Sequence, residues 1–261
     1  MKTRMSAPAS IGALSIWLQT PPGKYLLAWE QAFMDEHVAD LFGYHALQIG
    51  PVQLDALQAN RMPHRWRASL NIEENVGQLM LDAEDLPFPA ESLDLVVLSH
   101  VLEFSADPHQ VIREVERVLI PEGHILVTGF NPYSLWGLRQ RTLRGLCKPY
   151  LPEEGEFLTL FRLRDWMKLL SFDIQHSKAG CYIPALAQQK WIERWSWMDT
   201  IGSRWWPFAG GVYAVDAVKR VRGMRLIGPS WKTAKPKPAA TVPAANTNAP
   251  CINTQEDTHE G

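Results

Sequence analysis

The sequence has few cysteines and no long apolar run. Its 261 residues include three cysteines, at positions 147, 181 and 251, whose odd number and wide spacing match neither a disulfide framework nor a set of metal ligands. We therefore predict a reducing compartment, the cytoplasm, and no metal site. No stretch reaches the roughly 18 apolar residues of a membrane span, so we predict no transmembrane helix.

An excess of basic residues is also missing. The chain has 26 Lys and Arg against 28 Asp and Glu, a formal net charge of −2. Proteins that bind nucleic acids usually carry a basic imbalance or patch, whereas the basic clusters at 139–144 and 219–225 are short. We interpret them as solvated helix faces or strand ends and predict no nucleic-acid partner.

The sequence divides into three parts. Residues 1–41 are predicted to be an N-terminal helical extension, because apolar residues recur at mostly helical spacing over 25–41. Residues 42–228 are predicted to form an α/β domain. From 229 to 261 the chain is rich in Pro, Ala, Thr and Asn and poor in large apolar residues, a composition that predicts a disordered tail.

The clearest local pattern is a strand, a capped helix and a second strand. The run at 93–98 is almost wholly apolar, as in a strand buried on both faces. Asp107 is placed to cap the next helix, Pro108 stands at its first position, and Gln110 completes a capping-box pattern. With a second apolar strand at 124–129, the segment predicts a right-handed, parallel βαβ unit.

Other apolar runs predict further strands at 45–49, 66–70, 78–81, 172–183 and 211–221. The last two runs are predicted to pair at the end of the sheet. Residues 211–221 alternate in a way that suggests an edge position.

The segment from 81 to 132 carries a more specific pattern. It runs through Asp82-Ala83, Leu86-Pro87-Phe88, Asp107-Pro108, Arg117-Val118-Leu119, Pro121 and Gly123. This ordered series resembles class I S-adenosylmethionine-dependent methyltransferases, above all the methyltransferase type 11-like group that acts on small molecules, lipids or quinones. The resemblance implies S-adenosyl-L-methionine as cofactor. It also implies a three-layer, Rossmann-like α/β sheet of about seven mostly parallel strands with helices on both faces.

The resemblance also implies which residues hold the cofactor. They are Gly50 after the first strand, Asn71 at the second, Asp82 and Ala83 beside the adenine, and Ser99, His100 and Leu102 lining the methyl-donor cavity. The chain departs from the family in two places. Pro51 and Gln53 stand where the family has glycines. The nearest candidates for the usual ribose-binding acid are Asn71, Glu73 and Glu74.

His100, Glu103 and His109 lie near the expected cavity mouth, and His100 is the first candidate for a catalytic group. Methyl transfer from a sulfonium depends largely on positioning, and a base helps only where the acceptor must lose a proton. Histidine suits that task at neutral pH. The alternative interpretation is that His100 is a helix-entry residue with a satisfied hydrogen bond.

Tryptophan is unusually frequent, with five of the 11 residues between 191 and 206. Trp191, Trp195 and Met198 follow a helical stripe. One hypothesis makes Trp191, Trp195 and Trp205 a lid over an apolar substrate within a Trp-rich insertion at 184–208. A second makes them an interfacial patch that touches membrane lipid, and a third makes them a packing face over the sheet edge.

The leading hypothesis for function is an S-adenosylmethionine-dependent methyltransferase whose acceptor is a small, apolar or aromatic molecule. The alternative is a catalytically inactive methyltransferase-fold protein with a binding or regulatory role. A different nucleotide-binding α/β enzyme is disfavoured because neither GxxxxGK[ST] nor GxGxxG occurs. The sequence specifies neither the acceptor atom nor the oligomeric state.

Overall fold

The computed structural model describes residues 7–69, 79–142, 149–152 and 155–220. Its strands are β1 (His45–Ile49), β2 (His64–Ser69), β3 (Leu79–Met80), β4 (Leu93–Ser99), β5 (Leu119–Phe130), β6 (Phe172–Gly180) and β7 (Val212–Lys219). They form one sheet in the order β3-β2-β1-β4-β5-β7-β6. β1 to β5 pair in parallel, and β7 is antiparallel to both β5 and β6. The predicted α/β class and the mostly parallel seven-stranded sheet are confirmed.

Helices cover both faces of this sheet. They are α1 (Ala7–Leu18), α2 (Pro21–Val38), α3 (Pro108–Val118), α4 (Leu135–Thr142), α5 (Leu160–Leu169), α6 (Gln189–Arg194) and α7 (Trp197–Trp205). The side chains of β4 alternate between the faces. Val96 and Leu98 share a core with α3 and α5, whereas Leu95 and Val97 pack in a second core with α2. The three-layer arrangement follows directly from this alternation.

Helix α2 contributes directly to the core of the sheet. Its N-cap Thr20 accepts a hydrogen bond from the backbone of Gly23, and prolines occupy its first positions. Phe33, Met34 and Val38 are buried against residues of β1, β4 and β5. The part of the chain predicted as an N-terminal extension therefore shares a core with the α/β sheet.

The prediction that residues 211–221 form an edge strand is wrong. β7 lies between β5 and β6, all eight of its residues are buried, and β6 is the edge. Asp216 is the charged residue in the alternating pattern that suggested an exposed face. Its carboxylate is in fact buried and lies 3.1 Å from Nδ1 of His124 on β5. One charged residue with a partner in the neighbouring strand does not make a solvent face.

Some predictions concern residues that the structure does not describe. These are Asn71, Glu73 and Glu74, the tail at 229–261 and the later part of the helix predicted to begin after Ser134. The cap of that helix is described, since the hydroxyl of Ser134 accepts from the backbone N–H of Gly137 at 3.1 Å. Within the described ranges, no helix is both long and apolar enough to span a membrane.

Candidate active site

Parallel strands bring several of the predicted site residues to one edge. Gly50 follows β1, Asp82 follows β3, and β4 ends at Ser99, with His100 next. Because the carboxyl ends of parallel strands share an edge, ligands of open α/β sheets bind there. Gly50 and Ser99 are in direct proximity, since a Cβ atom on Gly50 would lie 2.7 Å from the carbonyl oxygen of Ser99.

Gly50 is required at its position by backbone packing. Its φ is 154°, a conformation that side chains rarely adopt, and its N–H donates to the carbonyl of Ala68 on β2 at 3.2 Å. A larger residue would collide with the end of β4. The one glycine that matches the family's loop therefore lets β1 and β4 approach each other at the site.

The loop after β1 is fixed by side chains instead of a helix. Residues 51–60 form turns. The amide of Gln48 donates to the carbonyl of Leu54 at 2.7 Å and accepts from the N–H of Ala56 at 3.0 Å. Arg67 on β2 donates to the same Leu54 carbonyl at 3.1 Å. The sequence carries one signal of this arrangement, since Gln48 is a polar residue within a buried strand.

The loop that carries Asp82 is clamped to α3. Arg117 donates to the carbonyls of Leu86 and Phe88, both at 3.0 Å, and pairs with Glu114 at 2.8 Å. The hydrogen bond from Arg117 is the main cause that lowers the pKa of Glu114. The Leu-Pro-Phe and Arg-Val-Leu segments of the sequence pattern are thus physically linked, because Arg117 of the second segment binds the backbone carbonyls of the first.

Asp82 is presented to solvent on this clamped loop. Its Oδ1 accepts from the N–H of Glu84 at 2.9 Å, which closes a turn, while the side chain is exposed. The neighbouring Ala83 is buried in the core beneath the loop. The arrangement leaves a carboxylate at a defined place on the carboxyl edge.

The cap of α3 confirms the predicted helix start but corrects its partner. Asp107 accepts from the N–H groups of His109 and Gln110 at 3.0 and 3.2 Å. The return hydrogen bond comes from the backbone N–H of Asp107 to Glu84, at 2.9 Å, and not to Gln110 as the capping-box pattern predicted. Glu84 is distant in sequence, and its part in the cap also ties the Asp82 loop to α3.

Behind Ser99 lies a fully buried cluster of one histidine and two carboxylates. Nδ1 of His100 lies 2.8 Å from Oε2 of Glu103, and Nε2 lies 3.0 Å from Oε1 of Glu30 on α2. All three side chains are at most 1% exposed. The other oxygen of Glu103 accepts from the backbone N–H of Phe130 at the end of β5.

The electrostatics of this cluster favour a protonated histidine. Burial by itself lowers the pKa of His100, but the charges of Glu30 and Glu103 outweigh it and raise the pKa to about 10. An imidazolium that is buried between two carboxylates cannot accept a proton at neutral pH. Of the two interpretations of His100, the geometry therefore favours a residue with satisfied hydrogen bonds and disfavours a general base.

Two further buried hydroxyls lie at the same edge. Ser99 and Thr128 are register partners on β4 and β5, and their hydroxyl oxygens have no hydrogen bond among the described residues. Oε2 of Glu30 likewise has no hydrogen bond there, whereas its Oε1 faces Nε2 of His100 at 3.0 Å. Buried polar groups are normally satisfied, so these atoms point to a polar ligand at this place. Leu102 differs from them, because it is buried in the apolar core.

A cleft opens beside α2. Its volume is about 610 Å³, within the range of small-molecule sites, and its walls include Tyr25 and Ala28 of α2 and Ile183 and Ile192 on the other side. Glu30 lies further along the same helix as Tyr25. Helix α2 therefore borders both the cleft and the buried cluster.

The tryptophans do not form the predicted buried stripe. The segment is broken into α6 and α7 around Trp195, and Ile192 is the residue of α6 that is buried. Trp191 and Trp205 are 47% and 71% exposed, and Trp195 is half-buried and stacks on Trp197. The packing-face interpretation is wrong for Trp191 and Trp205, because the smaller Ile192 takes the inward position.

The comparisons with known proteins agree with this geometry. Residues 44–127 match a family described as a methyltransferase domain. The chain is 30% identical to the uncharacterized protein YafS of Escherichia coli over 178 residues, 68% of this chain and 72% of YafS. It is 40% identical to the ubiquinone/menaquinone biosynthesis C-methyltransferase UbiE of Hahella chejuensis, but over 58 residues, 22% and 23% of the two chains.

A solved structure shares the fold. The complex between the Haloferax volcanii Trm112 methyltransferase activator and a methyltransferase contains a chain that matches with a TM-score of 0.57 and 14% identity, covering 82% of this chain and 99% of that one. Strand order and edge residues together define a methyltransferase-type α/β domain. The chain therefore contains a methyltransferase domain at residues 44–127, and it shares a family with YafS over about two thirds of its length.

Proposed function

We propose that this enzyme transfers the methyl group of S-adenosylmethionine to a small, apolar or aromatic acceptor. The observation that carries the proposal is the meeting of Gly50, Asp82 and Ser99 at one carboxyl edge, with Asp82 exposed on a loop held at both ends. The low number of cysteines supports a reducing compartment, and we expect the enzyme in the cytoplasm.

The residues at this edge fit the cofactor chemically. The carboxylate of Asp82 suits the exocyclic amine of adenine, which is a hydrogen-bond donor. Gly50 allows close approach of a ligand to the backbone, and the buried hydroxyl of Ser99 offers a polar partner that it otherwise lacks. Bound there, S-adenosylmethionine would supply an electrophilic methyl group, while Asn71 remains the predicted ribose contact.

The buried cluster is proposed to position the site and to set its charge. Two carboxylates and one imidazolium carry a net charge of −1, and a fixed negative charge in a buried place favours a cationic sulfonium nearby. His100 keeps its proton and holds Glu30 and Glu103 in place. In this role it is a positioning residue, and acceleration comes from placement and electrostatics.

The cleft beside α2 is proposed to receive the acceptor. Ala28, Ile183 and Ile192 give it apolar walls, Lys24 and Glu193 also line it, and α6 places Trp191 next to this wall. A lid role for Trp191 of α6 remains part of this proposal, whereas Trp205 of α7 is 71% exposed and is not part of it. The name of the similar UbiE protein refers to quinones, which are apolar and ring-shaped, and so supports an acceptor of this class.

The test is isothermal titration of the purified protein with S-adenosylmethionine and S-adenosylhomocysteine. Asp82→Asn keeps the oxygen that closes the turn with Glu84 but removes the charge, so we expect affinity to fall about tenfold, the equivalent of 1.4 kcal/mol. The matched control is Asp85→Asn, an exposed change in the same loop that should leave affinity unaltered. Equal losses in both variants would remove Asp82 from the site.

One observation favours the second candidate, a methyltransferase-fold module without catalysis. Pro51 supplies no backbone donor at the end of β1, and residues 51–60 form turns where a helix start could otherwise bind an anionic group. Absence of cofactor binding to the well-folded protein would support this candidate and contradict the enzyme proposal.

A further inference from the structure

Helix α7 exposes a stripe of large apolar residues. Trp197, Ile201 and Trp205 recur every four residues, so they lie on one side of the helix, and they are 53%, 43% and 71% exposed. The other side of α7 is fixed to the protein. Gly202 is buried against the ring of Tyr182, where a Cβ atom would lie 2.4 Å from Cγ.

A second contact keeps α7 in this orientation. The carboxylate of Asp199 accepts from the hydroxyl of Tyr25 on α2 at 2.5–2.6 Å and from the backbone N–H of Tyr182 at 2.9 Å. Because Asp199 and Gly202 both point into the protein, the tryptophans are held outward. Their exposure is therefore built into the docking of the helix.

Neighbouring residues extend the stripe into a surface. Trp206 and Phe208 follow α7 and are 64% and 55% exposed, and the ring of Phe208 lies 5.9 Å from that of Phe161, which is 61% exposed. We call these six residues the aromatic face: Phe161, Trp197, Ile201, Trp205, Trp206 and Phe208. Asn131, directly after β5, donates to the carbonyl of Phe208 at 2.7 Å. The aromatic face thus adjoins the carboxyl edge of the sheet.

The surroundings of the aromatic face are basic. Segments 131–142 and 189–208 together contain five basic residues and two acidic ones. Asp199 is turned inward, whereas Glu193 is an exposed carboxylate that accepts from Gln189 at 2.9 Å. Arg139 donates to the carbonyl of Ala185, which leaves Arg141, Lys190, Arg194 and Arg204 as the basic fringe. Tryptophan with a fringe of Arg and Lys is the combination that favours the headgroup region of an anionic lipid bilayer.

We propose that the aromatic face docks this protein onto the surface of an anionic phospholipid membrane. Large contiguous apolar patches are uncommon on monomeric soluble proteins and mark contact surfaces. Here the tryptophans would enter the interface between headgroups and acyl chains, and the basic fringe would contact phosphate groups. Membrane docking does not depend on the proposed function. Docking would allow an apolar acceptor to pass from the lipid into the cleft bordered by α6, and this use of docking rests on the proposed function.

The experiment is co-sedimentation of the full chain with sucrose-loaded vesicles. One set is pure phosphatidylcholine, and the other contains phosphatidylglycerol as well. We expect partition onto the anionic vesicles to be at least about tenfold stronger, and to weaken in high salt as headgroup attraction is screened. The double variant Trp197→Ser/Trp205→Ser should lose about tenfold or more of this partition, because the apolar area that enters the lipid is removed.

The matched control places equal changes on another exposed apolar pair. Phe42 and Tyr44 are 80% and 71% exposed before β1, at the opposite edge, and Phe42→Ser/Tyr44→Ser should bind vesicles as the parent does. Both double variants should keep the cofactor affinity and the thermal midpoint of the parent. Absence of partition onto anionic vesicles would overturn the proposal. A parent dimer that the Trp197/Trp205 variant dissociates, without vesicle binding, would instead assign the face to a second copy.

Discussion

A protonated His100 predicts that stability falls as pH rises through the neutral range. The pKa of His100 is 6.5 in its ordinary state and about 10 in the fold. A raised pKa contributes stability that is complete below the unfolded value and is lost as pH approaches the folded value. At 1.36 kcal/mol for each pH unit, the pH-dependent part of the stability amounts to about 5 kcal/mol between pH 6.5 and the folded pKa.

The measurement is urea unfolding of the parent and of His100→Asn between about pH 6.5 and 8.5. Both proteins carry the same thiol and tyrosine groups, so the titration of those groups cancels in the difference between them. Asparagine suits the substitution because position 100 has a φ of 55°, which Asn tolerates. The parent should lose up to about 1.4 kcal/mol for each pH unit relative to the variant. Parallel pH profiles for the two proteins would refute the protonated cluster. If His100→Asn does not fold, Glu30→Gln provides the same test. The expected difference between parent and variant in the pH dependence of the free energy of unfolding is then smaller.

Three further changes test the local geometry. Gly50→Ala should lower the free energy of unfolding by roughly 1–3 kcal/mol, because its Cβ would meet the backbone at the end of β4; an unchanged urea midpoint would contradict this. Arg117→Lys should weaken both stability, by about 1–2 kcal/mol, and cofactor affinity, since the clamp on the Asp82 loop needs a forked donor, whereas Arg113→Lys on the exposed side of α3 should change neither. Tyr25→Phe should cost about 1 kcal/mol by removing the hydroxyl from Asp199, and hydrogen exchange of α7 should increase; exchange identical to the parent would show that the helix is held otherwise.

The elements that the sequence predicted well depend on local signals. The helix after Asp107 has a cap, a proline and a 3.6-residue apolar period within one segment, and the structure places it at Pro108–Val118. The buried strand before it is equally self-contained. The family resemblance rested on the same stretch, which explains why the fold class could be predicted although the glycine loop departs from the pattern.

The features that the sequence did not predict depend on distant partners. Glu30 and His100 are 70 positions apart, and nothing local distinguishes Glu30 from a surface residue of an amphipathic helix. The position of β7 between β5 and β6 depends on the order of the strands in the sheet. The alternation of side chains in residues 211–221 carries no information about that order. The signals that could have helped are polar residues inside apolar runs, Gln48 and Asp216, since both turned out to hold neighbouring elements together.

Helix α2 connects the parts of the candidate site. Along one helix, Tyr25 anchors α7 through Asp199, Ala28 lines the cleft, and Glu30 reaches His100 behind the carboxyl edge. A displacement of α2 would expose two buried carboxylates and an imidazolium, which is costly, and would release α7 together with the aromatic face. The energetic cost of exposing the cluster therefore also holds the cleft beside α2 and the outward tryptophans in place. A segment that resembles an N-terminal extension in sequence thus borders the candidate site in the structure.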